Sequence, residues 1–475
     1  MFYDISCKSK LMKRTLWIVF ITISLLLQGF STATPLDERL EEPIKPKQHY
    51  EYFLDFFLSR EPKVLDQAIN HIKRNWSESD EILAIETLYF LRDQTYTLKL
   101  LVILEKETGK QFQFDFNAWY EYIWAKDPTY TSDYYTFKAN LHSLIDTKFR
   151  RYFIDREQAS DIRLDEVRWG GVAQDGIPPL RNPKMINVDE ANYLDDYNIV
   201  FGIKIGDDVR AYPKRILAWH EMFTDTVGDT PVAGVYCTLC GTVILYKTEH
   251  NGIQYQMGTS GFLYRSNKLM YDKKTQSLWN TLWGKPVLGP LKDQGIEFEY
   301  LSVVTTTWGE WKKRHPNTKV LSLNTGHQRD YGEGVAYQQY FATDELMFNT
   351  PDNDSRLLNK QEILAIRLPN ETDETIAISS KYLRRRSIFQ HKINNKRFTV
   401  FTDKTGAHRT FFTGTHIFNK YDKKSNAFDT QGTQWKVAEN YLENSQTGER
   451  LERLQSFNAF WFGFKAAFPE TQLIK

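Results

Sequence analysis

The segment TWGEWKKRHPNTKVL at residues 307–321 returns in altered form as FWFGFKAAFPETQLI at residues 460–474. Both segments place an aromatic cluster before a proline and end on apolar residues. Upstream, YDKKTQSLW at residues 271–279 has a similar counterpart in FDTQGTQW at residues 428–435. Segments that recur in the same order along a chain indicate an internal duplication.

A third pair of segments extends the duplication toward the N-terminus. VFGIKI at residues 200–205 parallels ILAIRL at residues 363–368. Three matches in one order predict two copies, residues 196–322 and 362–475, joined by a linker at residues 323–361 and packed as one pseudo-symmetric domain. Chance similarity between aromatic-rich strands is the alternative.

Strand-like patterns fill both copies. Short β-branched and aromatic runs, such as Ile199–Ile205, Val232–Tyr236 and Arg397–Thr402, alternate with Gly, Asp and Asn turns. This alternation is typical of antiparallel β-structure. Residues 156–195 are rich in loop-forming residues and predict a connecting segment.

Residues 47–155 have a different pattern. Apolar residues recur there at three- and four-residue spacing, which predicts amphipathic helices. Several short helices in series favour either a HEAT-like stack or an irregular bundle. The predicted fold class is therefore α+β, with an all-helical N-terminal region followed by a β-rich domain of two similar halves.

The N-terminus has the layout of a secretory signal. Four basic residues lie between Lys8 and Arg14, and they precede the apolar run Leu16–Leu27 and the small residues Ser31, Thr32 and Ala33. This order predicts a signal peptide over residues 1–33 and an exported protein, periplasmic or secreted; an uncleaved anchor is the alternative. No later segment approaches about 18 uninterrupted apolar residues, so no stable membrane span is expected after cleavage.

Charge and composition narrow the function classes. The 475-residue chain contains 61 Lys plus Arg and 60 Asp plus Glu, for a formal net charge of +1. Because no field of one sign is implied, a general nucleic-acid binder is disfavoured. A protein partner bound through the helical region is a separate hypothesis, in which the β-rich domain is a non-catalytic scaffold.

The strongest chemical motif is YCTLCGT at residues 236–242. Removal of residues 1–33 would take Cys7 with it and leave Cys237 and Cys240 as the remaining cysteines. A thioredoxin-like site requires a helix after the motif, whereas strand-like runs flank this one. Haem attachment requires histidine after the second cysteine, and Gly241 stands there. A metal knuckle and a local disulfide with a redox or structural role remain.

His220 is the first candidate for a third metal ligand. A constant offset between the copies places Asp403, Gly406 and Arg386 opposite Cys237, Cys240 and His220. A set of residues that is absent together from the second copy is typical of one functional site on a repeated scaffold. The leading hypothesis is an exported metal-binding protein or redox metalloenzyme that uses both cysteines and His220.

Four further residues are candidates for the surrounding pocket. They lie downstream of the cysteines and are Met257, Ser260, Tyr264 and Met270. A thioether added to thiolate and imidazole would favour copper, whereas thiolate and imidazole alone suit zinc or iron. Methionine is more often core filler than ligand.

Several of these motifs together resemble a known family. They are RAYP at 210–213, ILAWHE at 216–221, YCTLCGT at 236–242, SGFLYRSN at 260–267 and MYD at 270–272. In this combination the chain resembles the bacterial domain-of-unknown-function family DUF3179 over residues 163–475. The resemblance implies an exported bacterial or archaeal protein and implies no particular reaction.

Overall fold

The computed structural model describes residues 46–154, 160–352, 354–368 and 371–475. The predicted signal peptide and Cys7 lie outside these residues. Lys47–Lys475 form one compact unit. The architecture is α+β, as predicted: helices come first and many strands in several sheets follow.

The N-terminal region is helical, as its apolar spacing predicts. Its helices are α1 Glu51–Leu58, α2 Pro62–Arg74, α3 Asp80–Phe90, α4 Gln94–Thr108, α5 Phe116–Lys126, α6 Ser132–Ser143 and α7 Arg150–Phe153. Local capping fixes their ends: the Asp93 side chain accepts from the Thr95 and Tyr96 amides, and Gly109 ends α4 at φ +67°. Among the described residues, no helix is long and apolar enough to cross a membrane.

The first β-rich half follows. Its strands are β1 Val167–Trp169, β2 Leu180–Arg181, β3 Met185–Asn187, β4 Ile199–Ile205, β5 Asp208–Pro213, β6 Met222–Val227, β7 Thr230–Cys237, β8 Thr242–Lys247, β9 Glu249–His250, β10 Ile253–Gln254, β11 Met257–Tyr264, β12 Asn267–Asp272, β13 Leu278–Asn280, β14 Lys285–Leu288, β15 Tyr300–Leu301, β16 Val304–Thr307 and β17 Lys319–Leu321. Two helices accompany them, α8 Lys214–His220 and α9 Trp308–Arg314, and α10 Gln338–Ala342 lies in the linker.

The second half has a corresponding series of strands and helices. Its strands are β18 Glu362–Arg367, β19 Thr375–Ser379, β20 Ile388–Ile393, β21 Lys396–Thr402, β22 His408–Phe412, β23 Phe418–Tyr421, β24 Asn426–Asp429, β25 Gln434–Val437, β26 Tyr441–Asn444, β27 Arg450–Glu452, β28 Ser456–Phe460 and β29 Gln472–Ile474. Its helices are α11 Ser380–Arg384 and α12 Trp461–Ala467.

The strand orders of the two halves agree with the predicted duplication. One sheet runs β16-β4-β5-β17-β3, and its counterpart runs β28-β18-β19-β29. In both sheets the first two pairings are antiparallel and the third is parallel. A helix, α9 or α12, connects the outer strand to the parallel one in each half.

Equivalent tryptophans occupy equivalent strands. Trp279 on β13 and Trp435 on β25 are both fully buried. The Trp279 indole N–H donates to Asp272, at 3.4 Å, and that of Trp435 donates to Asp429, at 3.0 Å. The same aspartate–tryptophan contact in both halves explains why these positions match in the sequence.

The helical region packs directly on the first half. Phe149 and Phe153 contact Phe262 of β11, with ring centroids 4.6 and 5.2 Å apart. Buried residues of the helices and of the sheet β1-β11-β12-β13-β14 therefore form one hydrophobic core.

Candidate functional site

The two cysteines lie at a turn between strands, as the flanking patterns predict. Cys237 ends β7 and is paired with Thr242 at the start of β8. Cys240 lies in the intervening turn, so no helix begins at either cysteine. Gly241 adopts φ +59°, and an added Cβ there would lie 2.8 Å from the Phe460 ring. The turn therefore requires glycine for both its backbone and its close approach to the second half.

Cys237 and Cys240 form a disulfide with a Cα–Cα distance of 5.5 Å. Both residues are almost fully buried, at 2 % and 1 % exposure. The surrounding side chains are apolar and come from the first half, the linker and the second half: Leu239, Leu263, Tyr340, Phe348, Phe460 and Phe462. An external thiol cannot reach the sulfurs in this arrangement.

His220 is buried at the end of α8, and both of its ring nitrogens are hydrogen-bonded. Nδ1 lies 2.9 Å from the Pro178 carbonyl oxygen, and Nε2 lies 2.6 Å from the Tyr331 hydroxyl. The carbonyl can only accept, so Nδ1 carries the proton and Nε2 accepts from Tyr331. Burial lowers the pKa of His220 to about 4, which keeps the ring neutral at neutral pH.

The predicted metal site is not supported by this arrangement. The sulfurs of Cys237 and Cys240 are bonded to each other, and the ring nitrogens of His220 are bound to other groups. Within the described ranges, no group of three or more His, Cys, Asp or Glu side chains is placed to hold a metal ion. The sequence correctly located the turn but did not reveal which bonds its cysteines form.

The four candidate pocket residues lie in other parts of the core. Met257 and Met270 are fully buried in an apolar cluster that contains neither cysteine. Tyr264 belongs to the core beneath the helices. The Ser260 hydroxyl donates to the Leu269 carbonyl, 2.6 Å away. This hydrogen bond joins β11 to β12 where the register between the two strands shifts. Each of the four therefore has a packing role in this structure.

A buried ion pair beside the disulfide was not predicted from the sequence. The Lys268 ammonium contacts the Glu221 carboxylate, and both residues are at most 6 % exposed. Burial lowers the pKa of Lys268, while Glu221 opposes the shift. The same carboxylate accepts from the hydroxyl of Thr238, within the Cys-x-x-Cys loop, at 2.8 Å and from the Tyr337 hydroxyl at 2.9 Å. An ionisable pair thus lies one hydrogen bond from the disulfide loop.

The equivalent turn in the second half is closed without cysteines. The strand pair β20–β21 has the same register as β6–β7 once the predicted offset is applied: Met222 pairs with Val235, and Ile388 pairs with Phe401. Asp403 in the second half therefore occupies the position of Cys237 in the first. One Asp403 oxygen accepts from the amides of Thr405 and Ala407, and the other accepts from buried Arg409. The Thr405 hydroxyl also donates to Asp403, so four donors to one carboxylate stabilise this turn, whereas a covalent bond stabilises the other.

The constant offset assumed from the sequence does not hold beyond this turn. Val232 pairs with Lys247 in the first half, and the offset places Phe398 and Thr413 at these two positions. Phe398 in fact pairs with Phe412, so the second turn is one residue shorter than the first. Gly406, with φ +87°, consequently corresponds to Gly241 and not to Cys240. The predicted match of Gly406 with Cys240 was wrong for this reason.

Comparisons with known proteins place the chain in one family. A family model described as "Protein of unknown function (DUF3179)" matches residues 174–471. No curated protein and no solved structure matches the chain. The matched residues include the first half, the disulfide turn, the ion pair, the linker and the second half up to residue 471. The chain belongs to the DUF3179 family.

Proposed function

We propose that this protein is an exported thiol–disulfide exchange protein whose redox group is the Cys237–Cys240 pair. The observation that carries the proposal is the contrast between the two turns. The second half forms its turn with Asp403 and Arg409, so the fold itself does not require a disulfide at this position. A cysteine pair in one half alone is then explained by chemistry that the other half does not perform.

The surroundings of the loop support the same proposal. Thr238, between the two cysteines, donates to Glu221, which is paired with Lys268. A buried carboxylate, paired with a buried ammonium, is thus hydrogen-bonded to the residue between the two cysteines. Ionisable groups held at low exposure beside a reactive pair are typical of functional sites.

The proposed reaction is exchange with a dithiol of another molecule. A thiolate of that dithiol attacks one sulfur of the disulfide, forms a mixed disulfide and releases the other cysteine as a thiolate. The second thiol of the dithiol then attacks the mixed disulfide and releases the remaining cysteine. The dithiol loses two electrons and two protons, and the Cys237–Cys240 pair gains them.

Export is part of the proposal and rests on two features. The first is the basic, apolar and small-residue order over residues 1–33. The second is the disulfide itself, because such bonds persist in oxidising compartments and are rare in reducing ones. Fractionation of cells that express the full chain, with N-terminal sequencing of the product, tests export and cleavage after Ala33.

Reduction in the native state tests the redox proposal. The folded protein is incubated with dithiothreitol, its thiols are labelled with a maleimide, and peptide mapping assigns the labels so that Cys7 is counted separately. We expect Cys237 and Cys240 to become labelled while the near-ultraviolet circular dichroism keeps its folded signal. A Cys237→Ser/Cys240→Ser variant is the matched control and should show no label at either position.

Two results would overturn the proposal. If both thiols appear only as the protein unfolds, the disulfide is structural. If the reduced protein retains stoichiometric copper, zinc or iron by elemental analysis, and His220→Ala releases the metal, the metal-binding hypothesis is restored. That second result would require His220 to leave its present partners.

A further inference from the structure

A segment of the linker between the halves covers the disulfide. We call residues 331–348 the strap; it contains the short helix α10, Gln338–Ala342. The apolar residues that it places around the cysteines are Tyr337, Tyr340, Phe341, Leu346, Met347 and Phe348. Both cysteines are nearly unexposed. The strap residues form one part of the apolar cluster around them, and Leu239, Leu263, Phe460 and Phe462 form the rest.

Three tyrosine hydroxyls of the strap bond to the candidate site. Tyr331 donates to His220 Nε2 at 2.6 Å. Tyr337 donates to Glu221 at 2.9 Å, and Tyr340 donates to the carbonyl oxygen of Leu239 at 2.7 Å. These acceptors are two consecutive residues at the end of α8 and a residue between the two cysteines. The strap is thus fastened by polar contacts to the groups that surround the disulfide.

Two bulky residues at this contact have unfavourable backbone conformations. Tyr337 has φ +59° and Glu221 has φ +56°, in the left-handed region that non-glycine residues rarely adopt. The two side chains are hydrogen-bonded to each other. Strain of this kind persists only where surrounding contacts hold it, and it is typical of segments that switch between two states.

The ends of the strap are anchored independently of the disulfide. Arg215 donates to the carbonyl of Tyr331 at one end. At the other end, Lys360 donates to the carbonyl of Thr343, and Asp344 accepts from the amide of Asn359 at 3.0 Å. The hydroxyl contacts of Tyr337 and Tyr340 lie between these anchors, so they can break while both anchors stay in place; Lys360 also donates to the Tyr340 carbonyl.

We propose that the strap is a gate for thiol–disulfide exchange. In the closed state the hydroxyls of Tyr337 and Tyr340 hold the part of the strap between its anchors over the Cys237–Cys240 bond, and opening of that part admits the attacking dithiol. This inference rests on the proposed redox function. The rate of exchange then depends on strap opening. A partner protein that displaces the strap would therefore react with the disulfide faster than a small thiol does.

Tyrosine-to-phenylalanine substitutions in the full chain test the gate, because they remove the hydroxyls and keep the rings. The measured quantity is the rate of native-state reduction by dithiothreitol, followed by maleimide labelling of Cys237 and Cys240. Loss of one hydrogen bond is expected to raise this rate by about two- to tenfold. Tyr337→Phe should have the largest effect, because its acceptor is a buried carboxylate.

Tyr271→Phe is the matched control. The Tyr271 hydroxyl also donates to a carboxylate, that of Asp175, at 2.6 Å, but its ring belongs to the core beneath the helices. We expect this variant to lower global stability, measured in urea, without raising the reduction rate. A rate increase in the strap variants but not in the control supports a local gate.

The outcomes separate the gate from the redox function. If the disulfide is reduced in the folded protein at the same rate in the wild type and in Tyr337→Phe and Tyr340→Phe, the gate is refuted and the redox function stands. If the strap variants speed reduction but the reduced protein loses its folded signal, the strap protects a structural disulfide and the redox function is refuted. If the rates follow global stability in every variant, including Tyr271→Phe, the gate is also refuted.

Discussion

Replacement of Lys268 by methionine tests how much the buried ion pair with Glu221 contributes to the free energy of unfolding. The substitution keeps the unbranched side chain and leaves Glu221 as a buried charge without its cation. Removal of one member of a buried ion pair typically costs about 3–5 kcal/mol. Glu221 would still accept from Thr238 and Tyr337. We therefore expect a loss near the lower end, about 3 kcal/mol of the free energy of unfolding.

The assay is equilibrium unfolding in urea with the disulfide intact. Lys396→Met is the matched control, because Lys396 pairs with Glu371 while both side chains are about half exposed, at 50 % and 41 %. An exposed pair contributes about 1 kcal/mol or less. The double variant Lys268→Met/Glu221→Gln should recover part of the loss, since no buried charge remains. A cost for Lys268→Met no greater than for Lys396→Met would refute this reasoning.

Three further substitutions have defined expectations in urea unfolding. Cys237→Ser/Cys240→Ser opens a four-residue loop, for which chain entropy predicts a loss of about 2 kcal/mol; an unchanged midpoint would contradict this. Burial lowers the pKa of His220 from its ordinary value of 6.5 to about 4 in the folded protein. The unfolded state therefore binds the proton first on acidification, and the free energy of unfolding falls as the pH falls from 6.5 to about 4. His220→Gln should remove up to about 3 kcal/mol of that pH dependence, and parallel pH profiles would argue against it. Gly202→Ala would place a Cβ 2.4 Å from the buried Trp311 ring and should cost about 1–3 kcal/mol, whereas a neutral result would show that the indole can move.

The architecture was readable from the sequence because its signals are local. Alternating apolar residues specify strands, and three- to four-residue spacing specifies helices. The duplication was detectable because each half buries the same anchors, such as Trp279 and Trp435 with their aspartate partners. Positions of this kind tolerate few residue types, so the similarity between the halves remains visible in the sequence.

The chemistry of the site was not readable in the same way, because it depends on contacts between distant residues. Two cysteines three positions apart are compatible with a metal site and with a disulfide. The metal-site hypothesis required His220 as a third ligand. Its ring nitrogens are instead hydrogen-bonded to Pro178 and to Tyr331, which lies 111 residues downstream. The pairing of Glu221 with Lys268 likewise joins a helix end to a separate strand. No local spacing encodes such contacts.

The two turns also form contacts between the halves. Each turn packs against the strand–helix junction of the other half: Lys404 pairs with Glu310 at 3.3 Å, and Cys240 lies against Gly463.

Glu310 and Gly463 are equivalent positions in the repeated segments, so the second half has glycine where the first half has a charged partner. An added Cβ on Gly463 would lie 2.7 Å from that of Cys240. The space that the disulfide occupies is therefore provided by the opposite half, and the asymmetry at this position involves both copies. A small cavity of about 100 Å³, lined by Gly241 and Gly406, lies between the turns. One turn therefore has a disulfide, a matching glycine and a covering strap, whereas the other has the ion pairs of Asp403 with Arg409 and of Lys404 with Glu310, so the two halves differ at this turn through residues of both copies.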